Sequence, residues 1–293
     1  MTQTRPRSIA EMIRVDEKFV TDESFRRGVS YQPEPSDVFI SPYAKCGTTW
    51  MQQIVHGLRS AGSMDFDEIT QVVPWIEMAY DMGVDPAIQS AVPRAFKSHL
   101  AWGDIPKGGR YIVVLRDPVD AMVSLFRFLE GWWFEPGSIP LDAFAADYLE
   151  EDGGYWDHAT SWLRVQDRKD VLLVTFENMK RDLPGVVARV ADHRGGYPED
   201  RIALATKQAE FSFMKAHGRQ FDDHLLRAAR DTAIGLPPGG EATKVATGKT
   251  KATVSDHIRK TYADHWACVM TPEFGAPDYA TLEARISDAA RQG

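Results

Sequence analysis

Residues 37–59 constrain the chain most, because they hold a strand, a glycine turn and a helix start in one short stretch. Val38, Phe39 and Ile40 form an apolar run that reads as a buried strand. Ser41 to Gly47 is a turn containing Pro42, Lys45 and Gly47. From Thr48 onward, Met51, Ile54, Val55 and Leu58 recur on one helical face. The first N–H groups of such a helix have no intrahelical partners, and the helix dipole adds positive charge there. Lys45 contributes a full charge, and Thr48 and Thr49 contribute hydroxyl donors. An anion, and phosphate above all, is the natural guest. The turn is not the usual nucleotide P-loop, which needs a second glycine five positions before a Gly-Lys pair. Taken alone, it is equally consistent with an ordinary strand-to-helix turn bearing a solvated lysine.

The rest of the chain repeats the theme. Residues 94–100 read as a short strand that ends at Lys97, Ser98 and His99. Tyr111 to Leu115 is apolar throughout, as expected of a parallel strand covered on both faces. Asp117 then suits a helix N-cap and Pro118 the first helical position. Ala121, Met122, Leu125 and Phe126 mark the face of that helix, so Arg116 stands at the mouth of a second anion site with Ser124 two turns in. Val171 to Thr175 is a third such strand, followed by a helix near 183–193. Further helices are expected within 140–168 and 198–216, and near 253–270 and 278–291. Residues 61–93 and 217–252 read as irregular. Strands alternating with helices predict an α/β class: a single domain with a central parallel sheet flanked by helices, in a P-loop-like nucleotide-binding topology. Residues 1–36 are expected to form an N-terminal arm packed on a domain spanning 37–293, with a short helix hinted by Ile9, Met12, Ile13 and Val15.

At 293 residues with 43% hydrophobic composition, the chain can bury a large core. A net charge of -8 argues against general binding to nucleic acid or anionic membranes, so a polyanionic ligand must be met by locally gathered cations. The two cysteines, Cys46 and Cys268, make neither a metal pattern nor a disulfide framework, and a reducing, cytoplasmic setting is the default. No apolar run approaches membrane-spanning length, and no apolar segment follows Arg5, Arg7 and Arg14 as it would in a signal peptide. Trp75, Met78 and Tyr80, with Trp132, Trp133 and Phe134, are candidates to line an apolar pocket. Ordinary core packing is the commoner fate of such side chains.

Two anion sites at strand ends suggest a ligand with two separated phosphates. In open α/β sheets ligands lie beyond the carboxyl ends of the strands. His99 also follows a strand end, so Lys45, His99 and Arg116 are expected to converge.

Five segments together resemble the cytosolic-type sulfotransferases. Tyr43-Ala44-Lys45-Cys46-Gly47-Thr48-Thr49-Trp50 is similar to that family's Tyr-Pro-Lys-Ser-Gly-Thr-Thr-Trp loop, and Lys97-Ser98-His99-Leu100 to its Lys-Thr-His-Leu. Arg116 and Ser124 stand at the separation of its 3′-phosphate motif, and Phe176 to Lys180 is similar to its Tyr-Glu-Asp-Met-Lys. Phe211 and Met214 match its Phe-x-x-Met pair. The resemblance implies transfer of a sulfonate from 3′-phosphoadenosine 5′-phosphosulfate (PAPS) to a hydroxyl or amine of a small acceptor, leaving 3′-phosphoadenosine 5′-phosphate (PAP), without a metal. It implies that Lys45 to Trp50 hold the 5′-phosphate, that Arg116 and Ser124 hold the 3′-phosphate, and that Trp50, Phe176, Phe211 and Met214 border the adenine. It makes His99 the general base, with Lys45 and Lys97 stabilising charge in the transition state. The acceptor is expected to be apolar, aromatic or lipid-like. Nucleic acid and stable membrane insertion are not expected, and a homodimer is left open.

One part departs from the family. Its C-terminal loop, often Arg-Lys-Gly, is replaced near Gly248 and Lys249 by Ala246 and Thr247, with Lys244 or Lys251 available to restore charge. Two other functions therefore stay open. A nucleotide-dependent phosphotransferase would need magnesium and a full P-loop, of which Gly248-Lys249-Thr250 has only the tail. A non-catalytic binder on the same fold would hold the nucleotide or an apolar ligand without turnover.

Overall fold

The computed structural model describes residues 4–238 and 254–292. Four parallel strands form one sheet in the order β2-β1-β3-β4. They are β1 (Val38–Ile40), β2 (Ala95–Lys97), β3 (Arg110–Leu115) and β4 (Val171–Thr175). Phe39 pairs with Phe96 on one side and Tyr111 on the other, and Ile112 pairs with Leu172. The sheet edge continues past β2, where Ile76 N–H donates to the Lys97 carbonyl at 2.9 Å and Lys97 N–H to the Pro74 carbonyl at 2.8 Å. At the base of β1, Arg94 donates to both carboxylate oxygens of buried Asp37, at 2.9 and 2.8 Å.

Side chains alternate across the sheet with the strand period of two. Val38, Ile40, Ile112 and Val114 face one core, where they meet Met51, Ile54, Val55 and Leu58 of the helix that follows β1. Phe39, Tyr111, Val113 and Leu115 face the other, which is rich in Trp and Tyr. The expected α/β class with a central parallel sheet is what the chain adopts.

The helices run in chain order: α1 (Ile9–Asp16), α2 (Asp22–Val29), α3 (Thr48–Ser60), α4 (Ile69–Val72), α5 (Pro118–Leu129), α6 (Leu141–Glu150) and α7 (Tyr155–Leu163). They continue with α8 (Phe176–Arg181), α9 (Leu183–His193), α10 (Glu199–Gln208), α11 (Phe211–Ala216), α12 (His224–Ile234), α13 (Asp256–Phe274) and α14 (Tyr279–Gln292).

Two of these correct the sequence reading. The arm holds a second helix, α2, capped by the Thr21 hydroxyl. Residues 224–234, expected to be irregular, form α12, which ends at Gly235 in the left-handed conformation that favours glycine. Its sequence was masked by the prolines and glycines just after it. Helix α12 is docked from several directions: the Arg230 guanidinium donates to the carbonyls of Phe19 and Lys18, at 3.0 and 2.7 Å, and buried Asp231 accepts from the Trp132 indole at 2.9 Å.

Candidate active site

The strand order reverses direction between β1 and β3, and this is where the carboxyl ends of an open sheet leave a crevice. The turn after β1 and the turn after β3 are neighbours there, joined by a hydrogen bond from Arg116 Nη1 to the Lys45 carbonyl at 2.8 Å. Lys45 and Gly47 both have positive φ, at 63° and 109°. Successive turns of this kind curl main-chain N–H groups into an anion-binding concavity. Gly47 is required twice over: its backbone is left-handed, and a Cβ would sit 3.0 Å from the Phe176 ring. Helix α3 starts directly after it without a side-chain cap. The Thr48 hydroxyl and Arg116 Nε are both buried and have no hydrogen-bond partner among the described residues.

The third strand end brings a histidine and a lysine to the same edge. His99 follows β2, and its Nδ1 lies 2.6 Å from the Pro42 carbonyl oxygen. A carbonyl can only accept, so Nδ1 carries the hydrogen and Nε2 is the nitrogen able to take a proton. The His99 ring stands edge-on to Trp75, with centroids 5.0 Å apart. Lys97 is buried, with Nζ 3.6 Å from the centre of the same indole. Lys45 Nζ lies 3.8 Å from the centre of the Phe128 ring, and the Arg116 guanidinium 4.4 Å from that of Phe176. The cations thus rest on aromatic faces, an arrangement worth about 0.5–2 kcal/mol each.

Apart from Pro42, these residues border one cavity of about 1910 Å³. Pockets for a single small ligand run roughly 300–1,000 Å³, so this one has room for two reactants. Its lining includes Thr48, Thr49, Trp50, Arg116, Ser124, Phe176, Phe211 and Met214, and also the aromatic residues Phe19, Trp75, Phe128, Trp132, Trp133, Phe144 and Tyr148, with Met12. Carboxylates border it as well. Burial, then Asp147 and Glu17, push the Asp16 carboxyl up to about 6. Burial also raises Glu151, which accepts the Tyr43 hydroxyl at 2.8 Å.

The model of the sulfotransferase domain family matches residues 35–234. The chain belongs to the sulfotransferase family. It is 27% identical over 231 residues to rat sulfotransferase 2A1, covering 75% of this chain and 80% of that one. Its fold is similar to that of mouse sulfotransferase SULT7A1, solved in complex with PAP, with a TM-score of 0.64 at 18% identity over 94% of this chain and 95% of that one. It is also similar to retinol dehydratase, solved with androsterone and PAP, with a TM-score of 0.66 at 18% identity over 84% and 86% of the two chains.

In this sulfotransferase the sequence-predicted residues fall into three groups. Lys45, Gly47, Thr48, Thr49, Trp50, Lys97, His99, Arg116, Ser124, Phe176, Phe211 and Met214 border the common cavity, as do Trp75, Trp132 and Trp133. Four others do not. Met78 and Phe134 are fully buried in the core, Phe134 packed between Phe126 and Phe144. Tyr80 is on the surface, 49% exposed, with the Arg27 guanidinium 4.0 Å above its ring. Cys46 is buried and does not border the cavity; burial pushes its thiol up to about 12, against the lowering that a helix N-terminus would give. Gly248 and Lys249, with Ala246 and Thr247, lie outside the described residues.

Sequence reasoning missed Met12, Ile13, Asp16 and Phe19 of the N-terminal arm, Phe144 and Tyr148 of α6, and Leu226 of α12. For α1 the apolar spacing was visible, but nothing in it pointed to a cavity. Among the described residues no helix is long and apolar enough to cross a membrane, and no group of side chains is arranged to hold a metal ion.

Proposed function

We propose that this sulfotransferase moves the sulfonate of PAPS to a hydroxyl of a small apolar or aromatic acceptor, with His99 as general base. The observation that carries the reading is the His99 tautomer: the Pro42 carbonyl holds Nδ1–H, so Nε2 is the basic nitrogen, in a cavity also bordered by Lys45, Lys97 and Arg116.

The donor's chemistry fits the residues present. Its 5′-phosphate suits the turn at Lys45 to Thr49, where Gly47 takes a left-handed backbone that a side chain would strain and the Thr48 hydroxyl lacks a partner among the described residues. Its 3′-phosphate suits Arg116, whose Nε is likewise without a partner among them, together with Ser124. Trp50 and Phe176 stand edge to face with centroids 5.7 Å apart, and with Phe211 and Met214 they offer apolar surface to an adenine. The Trp50 ring is fixed by its N–H, which donates to the Ala209 carbonyl at 2.7 Å. The relatives solved with PAP support the same donor.

The donor supplies an activated sulfonate. The acceptor oxygen bonds to sulfur as the bond from sulfur to the 5′-phosphate oxygen breaks, and the electron pair stays on that phosphate oxygen. His99 Nε2 takes the acceptor proton. Lys45 offsets the charge appearing on the phosphate oxygen, and Lys97 that on the sulfonate oxygens, as fixed cations do in a low-dielectric site. The aromatic part of the cavity holds the acceptor, and the androsterone bound in retinol dehydratase supports an apolar ligand of that size. We also infer that the arm at residues 1–36 packs on a domain spanning 37–293 and supplies part of the acceptor wall.

The test is a mass-based screen of alcohols and phenols with PAPS, using the protein and its His99→Ala variant. The expected result is a sulfonated product whose rate falls roughly a hundred- to ten-thousand-fold in the variant, with PAP affinity unchanged. Normal turnover by His99→Ala would remove His99 from the base role, and PAP binding with no product from any acceptor would favour a silent binder.

A further inference from the structure

The reaction as described leaves one buried acid at the site unused. Glu77 is 4% exposed. Burying a carboxylate is costly unless its oxygens are bonded. Here Oε1 accepts the main-chain N–H of His99 at 2.7 Å and the Ser98 hydroxyl at 3.1 Å, while Oε2 is buried with no hydrogen-bond partner among the described residues. The Ser98 oxygen in turn accepts the N–H of Leu100 at 3.0 Å. One carboxylate therefore ties down three consecutive residues at the end of β2, with the histidine in the middle. Glu77 also lies two residues from Trp75, whose ring contacts both His99 and Lys97. This segment is itself hydrogen-bonded to β2 through Pro74 and Ile76.

The charge matters as much as the geometry. Lys97 from β2, Lys45 from the turn after β1 and Arg116 from the turn after β3 border the cavity beside His99. Each disfavours a protonated imidazole, which is the state a base reaches when it does its work. Among the carboxylates of the cavity, Asp16 belongs to α1, Asp120 to α5, Asp147 and Glu150 to α6, Glu151 and Asp152 to the residues after α6, and Glu210 and Asp223 to the residues just before α11 and α12. Glu77 is the acid bonded to the backbone of His99 itself. Burial raises its pKa, while the His99 N–H, its own N–H and the neighbouring Trp75 and Ser98 groups favour the ionised form.

We infer that Glu77 is the positioning residue of this site: it fixes the main chain that carries the His99 imidazole, and its negative charge offsets the surrounding lysines so that His99 can hold a proton. This rests on the reading of His99 as the base.

The experiment compares Glu77→Gln, Glu77→Asp and His99→Ala in the full chain, reading the pH profile of kcat/KM for the acceptor and the Kd for PAP. Glu77→Gln keeps an acceptor oxygen for the His99 N–H and removes the charge. Its acidic limb should move to lower pH by about one unit, the lower end of the effect of an opposite charge within 4–6 Å, with PAP affinity unchanged. Glu77→Asp keeps the charge but draws the carboxylate back, so kcat should fall about tenfold while the limb stays in place. If Glu77→Gln does not fold, the aspartate variant decides, and wild-type kcat there overturns the inference. A wild-type profile in Glu77→Gln, with His99→Ala inactive, overturns it while sparing the base assignment. An active His99→Ala overturns the base assignment and the inference with it.

Discussion

The proposed donor and acceptor ends of the cavity are built by different means. At the proposed donor end, many of the groups follow a strand terminus: Lys45 to Thr48 after β1, Lys97 and His99 at the end of β2, Arg116 after β3 and Phe176 after β4, while Ser124 lies within α5 and Phe211 and Met214 on α11. Their relative positions follow from main-chain pairing between parallel strands. At the proposed acceptor end Trp75 is tied to the sheet through Pro74 and Ile76, which bond to Lys97 of β2, whereas Phe19, Trp132 and Trp133 lie outside its strands. Phe19, from the arm, packs its ring at 5.9, 6.2 and 4.8 Å from Trp75, Trp132 and Trp133, which come from two other parts of the chain. Trp132 is held by Asp231 of α12. The donor end is fixed by backbone, and the acceptor end by side chains that must find one another. Substitutions should therefore separate the two: backbone changes at the donor end should affect nucleotide affinity, and side-chain truncations at the acceptor end should affect stability and acceptor KM.

Trp133→Ala should give the largest effect on stability. It empties a buried site beside Phe19 and Trp132, and such truncations cost about 3–5 kcal/mol. Thermal denaturation measures that cost. Assays below the lowered melting temperature should show a raised acceptor KM with unchanged PAP affinity, and a weakened PAP affinity would break the separation between the ends.

Gly47→Val should act in the opposite sense. A side chain at φ +109° is strained and meets the Phe176 ring. Strain of this kind costs about 1–3 kcal/mol, which would appear as roughly ten- to hundredfold weaker PAP binding. An unchanged Kd would contradict the role given to this turn.

The smallest effect is expected at Asp16. Its carboxyl has a folded pKa of about 6 against an ordinary value of 3.8. Between those values the native state binds more protons than the unfolded one, so stability falls as pH rises through that window. Asp16→Asn should therefore raise the melting temperature above pH 6 and leave it unchanged below pH 3.8. Asp16 is crowded by the groups around it, yet its own surface reaches solvent, so screening should keep the gain within about 0.5 kcal/mol. A gain that persists at low pH would assign the effect to packing instead of charge.

The same contrast explains what could be read from the sequence. The donor end was legible because a strand, a turn and a helix start are local patterns, each written in consecutive residues. Gly47, Arg116 and Ser124 follow from such patterns. The tryptophans at 75, 132 and 133 were singled out by composition alone, which could not separate them from Met78 and Phe134, buried in the core, or from Tyr80, which lies under Arg27 on the surface. Phe19 sits in a polar arm whose packing depends on α12, more than two hundred residues away. No local pattern encodes such a meeting. Glu77 was passed over because its bond to His99 is made by a main-chain N–H, and main-chain partners leave no trace in side-chain identity.

The central claim is that the turns after β1 and β3 together hold a doubly phosphorylated nucleotide. Calorimetric titration with PAP tests it most directly, comparing the protein with Arg116→Ala and Trp133→Ala. The account predicts saturable binding by the parent protein, at least tenfold weaker binding by Arg116→Ala, as expected for loss of one charge-assisted contact, and unchanged binding by Trp133→Ala. No heat of binding from the folded parent protein, or equal affinity in Arg116→Ala, would contradict it.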